Sequence, residues 1–174
     1  MLSVLVVPMA LAACATTSAV VAPTGGAVPY VSGSPPSAAK MICSTNIRRE
    51  IAAALDAASV SAPASTWADH VFTCAYSLPV GHLVLSVAVA PDNAAAAEQL
   101  ASMRGRLGTT AEAFALGTRG YSAPTGIVIA LKDNMVLRVD AAALSGDLGP
   151  AHEKRADFAR VIATDVFDCW TGNG

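Results

Sequence analysis

Apolar residues recur along this chain at different spacings, and the spacing divides it into segments. From Met1 to Leu11 they run almost unbroken, and from Ala15 to Ala39 they follow no period at all. Ile47, Ile51, Leu55 and Ala58 then return every three or four residues, with Arg48, Arg49 and Glu50 between them and Ser44 or Thr45 placed to cap, which predicts an amphipathic helix. Beyond Pro63 the period drops to two. Phe72, Cys74, Tyr76 and Leu78 alternate with more polar residues, Pro79-Val80-Gly81 supplies a turn, and Leu83, Leu85, Val87 and Val89 alternate on the way back, which predicts a β-hairpin. Asp92 can cap a second helix with the stripe Ala96, Leu100, Met103 and Leu107, ended by Gly108. After a Gly- and Thr-rich stretch, Ile127, Ile129 and Leu131 lead through Asp133-Asn134 into Met135, Leu137 and Val139, a second hairpin whose other face carries Val136, Arg138 and Asp140. Pro150 can open a last helix, striped by Phe158, Ile162, Val166 and Cys169.

The expected order is therefore α-β-β-α-β-β-α. Sequential hairpins favour an antiparallel sheet of about four strands, packed by three helices in an α+β fold. If all three helices lie on one side, Val84, Ala88, Val136 and Arg138 make a partly apolar surface with one cation on the other. That surface would have to be covered by the loop from Thr109 to Thr125, by a partner or by a ligand, so these four residues are the candidate ligand face.

The unbroken apolar run has a different meaning. It matches the apolar core of a signal peptide and is too short for a membrane-spanning helix of about 20 residues. It closes on Leu11-Ala12-Ala13-Cys14, the small-small-Cys pattern of a bacterial lipobox, in which Cys14 is alkylated by diacylglycerol and becomes the first residue after cleavage. This reading gives a signal peptide over residues 1–13, a lipid anchor and flexible tether over 14–40, and a single domain over 41–172 on the outer face of the cell membrane. The segment departs from the usual pattern in one respect: the first charged residue is Lys40, which places the true start upstream or at another codon. Ordinary secretion is the alternative, since Ala13-Cys14-Ala15 also fits a cleavage site that would release the chain after Ala15.

Composition narrows the chemistry. A net charge of −2 with scattered Lys and Arg leaves no basic footprint for nucleic acid. No Gly-x-Ser-x-Gly elbow, phosphate-binding Gly loop or His-Glu-x-x-His pair occurs, and no Cys or His spacing fits a metal, so no catalytic residue, metal or cofactor is assigned. His70 and His82 fall on the two arms of one hairpin, about eight residues and roughly 27 Å apart along it, too far to share an ion. Setting Cys14 aside leaves Cys43, Cys74 and Cys169, one pair and one remainder in an oxidising compartment. Cys43 with Cys74 is the first choice and Cys43 with Cys169 the second. A lone Cys169 would sit on the apolar stripe as a small hydrophobe. The function these features favour is a membrane-anchored binding or interaction module for an unidentified ligand or protein. The alternatives are a hydrolase with a site assembled from loop residues such as Arg119, Tyr121 and His152, or a purely structural envelope protein.

Several of these residues also carry a family likeness. Met41-x-Cys43, Thr66-Trp67-Ala68-Asp69-His70 running into Phe72-Thr73-Cys74-x-Tyr76, Leu78-Pro79-x-Gly81, Leu131-Lys132-Asp133-Asn134 and Cys169-Trp170-Thr171-Gly172 together resemble a group of small actinobacterial lipoproteins without established activity. The likeness covers Met41 to Gly172. It extends more distantly to mycobacterial extracytoplasmic lipoprotein and sensor domains with an antiparallel sheet flanked by helices. It implies a location and a fold, and no catalytic role.

Overall fold

The structure, a computed structural model, describes residues 26–150 and 152–172; the apolar leader and Cys14 lie outside the described residues. A one-turn helix α1 (Ser37–Lys40) and a 3-10 turn (Met41–Cys43) lead into α2 (Thr45–Ala54). Three strands follow, β1 (Ala64–Ala68), β2 (Val71–Leu78) and β3 (Gly81–Val89), then α3 (Asn93–Arg106). Next come β4 (Glu112–Phe114), β5 (Arg119–Ala123), β6 (Ile127–Lys132) and β7 (Met135–Leu144), a small ribbon of β8 (Asp147–Leu148) and β9 (Glu153–Lys154), and α4 (Arg155–Thr171). The main sheet has seven strands in the order β1-β2-β3-β7-β6-β5-β4, antiparallel throughout. The expectation of four strands in the order α-β-β-α-β-β-α is thus corrected. The two predicted hairpins are its centre, β2–β3 and β6–β7, joined through β3 and β7. Outside them lie β1 on one edge and β5 with β4 on the other, the latter pair built from the stretch expected to be loop.

One sheet face carries the main core. Phe72, Cys74, Tyr76 and Leu78 of β2, Leu83, Leu85 and Val87 of β3, and Leu137 and Val139 of β7 pack with Ile47 and Ile51 of α2 and with Phe158, Ile162 and Val166 of α4. Ser44 caps α2 by accepting from the Ile47 N–H, as its position predicts. The Cys43–Cys74 disulfide is present, with Cα atoms 5.7 Å apart, and staples the helical lead-in to the centre of β2. Close by, the buried Tyr76 hydroxyl donates to the Ile42 carbonyl at 2.5 Å. Burial, only partly opposed by the Arg48 charge, pushes this phenol above its ordinary range.

The helices do not share one side of the sheet. Asp92 caps α3 as expected, accepting from the Ala95 N–H at 2.8 Å, but α3 crosses to the opposite face. There Ala96 and Leu100 pack on Ala88, Ile129, Leu131 and Val136. This crossing corrects the second hairpin as well. The two-residue turn pairs Lys132 with Met135, so Ile129 stands beside Arg138 and Leu131 beside Val136, on the face opposite Leu137 and Val139. Both faces of β6 are buried, because β6 is a central strand with α4 on one side and α3 on the other.

Contacts with the domain begin earlier in the chain than Met41. The Val28 N–H donates to Asn134 Oδ1 at 2.8 Å while Asn134 Nδ2 donates to the Val28 carbonyl at 2.9 Å. Further on, the Trp67 indole donates to the Ser32 carbonyl, and the Trp170 indole to the Ala38 carbonyl.

Candidate functional site

A cavity of about 390 Å³ opens at the head of α4. It is built where three parts of the chain converge. Ser122 of β5, opposite Glu112 of β4, forms one wall; Gly146 of the β7–β8 turn forms the second; Lys154, Arg155, Asp157 and Arg160 form the third. Ser122 is buried, and its hydroxyl accepts from Arg160 Nε at 3.0 Å. The same guanidinium pairs with Asp157 at 3.0 Å, one helical turn away. Arg155 Nη1 donates to the Ala142 carbonyl at 2.7 Å, so among the described residues its charge faces carbonyls and has no carboxylate partner. Gly126 makes room for it: at φ +90°, a Cβ there would lie 2.7 Å from Arg155 Cβ. At the rim Lys154 pairs with Asp147, whose carboxyl is held below its usual range by that hydrogen bond and charge.

No side chain caps the first turn of α4, so its backbone N–H groups add positive potential at the same end. Guanidinium groups, free helix amides and a hydroxyl suit a carboxylate or a phosphate. They do not form a nucleophile with its base. The polar side chain on Ser122 is Arg160, which donates a hydrogen bond but cannot take a proton.

The sequence-predicted positions fall elsewhere. Val84, Ala88, Val136 and Arg138 do share one sheet face, since Val84 pairs with Asp140, Ala88 with Val136 and Ser86 with Arg138. That face is divided, however. Ala88 and Val136 are covered by α3, whereas Val84 and Arg138 stay half-buried and Arg138 pairs with Asp140. The loop expected to cover it contributes β4 and β5, an extension of the sheet itself.

His70 is not in a strand but in the β1–β2 turn, where Asp69 and His70 both take positive φ (+49° and +58°). His82 lies opposite Ser77 rather than beside Leu78, and is exposed like His152 and Arg119. Tyr121 sits beneath Arg104 of α3, 5.2 Å from the guanidinium to the ring. Arg119, Tyr121 and His152 therefore do not form a buried cluster. Cys169 is half-buried and is not a free thiol, which corrects its assignment as a lone hydrophobe.

Three carboxylates approach one another between α2 and α4. Asp165 is pushed up to about 6, first by burial and then by Glu50 and Asp168. No group of three or more His, Cys, Asp or Glu among the described residues is arranged to hold a metal, and no described helix is long and apolar enough to cross a membrane. The cavity residues were not singled out by sequence. The available signal was the cationic spacing Lys154-Arg155 with Arg160 at the opening of a helix, hidden because Pro150 was read as that opening. Comparison with protein families, curated proteins and solved structures finds no match to this chain.

Proposed function

We propose that this chain is an exported binding domain of the cell envelope. The observation that carries the reading is the Cys43–Cys74 bridge, closed across 31 residues with Cys74 fully buried against the sheet. Such a bridge persists in oxidising compartments and is rare where thiols are kept reduced. The address is supported by Leu11-Ala12-Ala13-Cys14 and by the likeness to actinobacterial lipoproteins. A binding role is supported by the cavity at the head of α4, whose Arg155, Arg160 and helix amides favour a small anionic ligand over an apolar one.

Mass spectrometry of protein purified from the envelope of the native host and digested without reduction tests the address. The Cys43–Cys74 bridge should be recovered intact. Recovery of Cys43 and Cys74 as free thiols would overturn it. For the ligand, native mass spectrometry of the envelope-purified protein should find a bound anion that is lost in Arg160→Gln. Protein that comes out empty, or an adduct indifferent to Arg160, removes the cavity as the site.

A further inference from the structure

We propose that residues 28–32 are a releasable strap, clasped by Asn134 at one end and by Trp67 at the other, that opens as a unit while the rest of the domain stays folded. Four contacts close it. They are the paired hydrogen bonds between Val28 and the Asn134 carboxamide, the stack of Tyr30 on His70 at 3.8 Å, and the Trp67 bond to the Ser32 carbonyl at 3.1 Å. Val28 is the strap side chain that packs against the core. Tyr30 and Val31 remain 46% and 43% exposed, two of the three large apolar side chains left exposed among the described residues, and Val28 is only partly buried.

The receiving side survives without the strap. Asn134 donates a third bond to the Ala90 carbonyl at 2.8 Å, and the Ala90 N–H donates back to the Asn134 carbonyl at 2.8 Å, so the clasp stays in place when Val28 leaves. Beneath Tyr30, His70 Nδ1 is buried with no hydrogen-bond partner among the described residues, a cost that water relieves on opening. The hinge is equally defined. Gly33 is exposed, with nothing near the position of a Cβ, whereas Ala39 and Ile42 are fully buried and Trp170 holds the Ala38 carbonyl at 2.8 Å. The strap therefore pivots between Gly33 and Ala38. A segment held by four contacts, with Val28 as its one side chain against the core, belongs to the low-stability end of a fold.

Amide hydrogen exchange on the full chain tests the strap. The Val28 amide should exchange at least tenfold faster than the Ile162 amide of α4. Trp67→Phe keeps the ring but removes the bond to Ser32; it should speed Val28 about fivefold and leave Ile162 unchanged. Tyr30→Ala should act in the same direction by removing the stack. Chymotrypsin should nick Trp67→Phe after Tyr30 faster than the parent. Exchange of Val28 in step with Ile162, or an equal acceleration of both in each variant, would overturn the proposal.

Discussion

Replacing Asp165 with Asn should stabilise the protein near neutral pH and leave it almost unchanged in acid. Asp165 is half-buried on α4, and its carboxyl is raised to about 6 by burial and by the Glu50 and Asp168 charges. In the unfolded chain the same group titrates near 3.9. Because the folded value is the higher one, the protonated form is preferred in the fold. Its contribution is complete below about pH 4 and is lost as pH rises through 6. Above that the folded state holds a carboxylate it disfavours. A shift of about two units corresponds to roughly 3 kcal/mol, an upper bound; solvent screening of a half-exposed group brings the figure to about 1–1.5 kcal/mol.

Asn has nearly the same shape as the protonated acid and does not titrate. Urea unfolding with disulfides intact, at pH 4 and pH 7.5, measures the difference. At pH 7.5 the variant should gain about 1 kcal/mol, which at a slope of about 2 kcal/mol per molar moves the midpoint up by about 0.5 M. At pH 4 the two midpoints should coincide within about 0.2 M. An equal gain at both pH values, or a loss at pH 7.5, would refute the reasoning, because it would assign the effect to packing rather than to charge. Glu50→Gln should give a smaller gain in the same direction.

Removing the Cys43–Cys74 bridge by Cys74→Ala frees a 31-residue loop and should cost about 3–4 kcal/mol; a loss under about 1 kcal/mol in denaturant unfolding would mean the bridge adds nothing. Gly117→Ala should be strongly destabilising, by about 2 kcal/mol or more, since at φ +60° its Cβ would fall 2.3 Å from the Phe167 ring and 2.4 Å from the Leu131 carbonyl. Gly33→Ala, in open space, is the matched control and should leave the thermal midpoint in place. Val136→Asp should cost about 3 kcal/mol or more because α3 covers it, whereas Val84→Asp on the half-open part of the same face should cost about 1 kcal/mol. Similar losses at both positions would mean that α3 does not lie where it is placed.

Where a segment buries one face and shows the other, its pattern was readable. The stripes Ile47–Ile51, Ala96–Leu100 and Phe158–Ile162–Val166, and the alternation through β2 and β3, each have one buried side. The edge strands had no such contrast. β1 is almost wholly exposed, so Ala64–Ala68 carries no apolar alternation, and its hairpin turn uses Asp69-His70 in place of the glycine that usually marks positive φ. β4 and β5 were obscured by glycines that read as loop. Gly117, before β5, and Gly120, within it, are there because Phe167 and the carbonyls of Leu131, Phe114 and Leu116 approach where side chains would stand. The cavity was less legible still, since it joins Ser122 to Arg160 across 38 residues and depends on where α4 starts.

By itself the sequence determined the three long helices and the strands of the two central hairpins, the capping residues Ser44 and Asp92, and the first-choice cysteine pair, because each depends on neighbours within a few turns or on a count. Only the tertiary structure decided which face each helix covers. An amphipathic helix must bury its stripe, but either side of a sheet satisfies that demand, and α3 took the side opposite α4. That choice made β6 apolar on both faces, divided the expected ligand surface, and left the polar cavity to form at the head of α4.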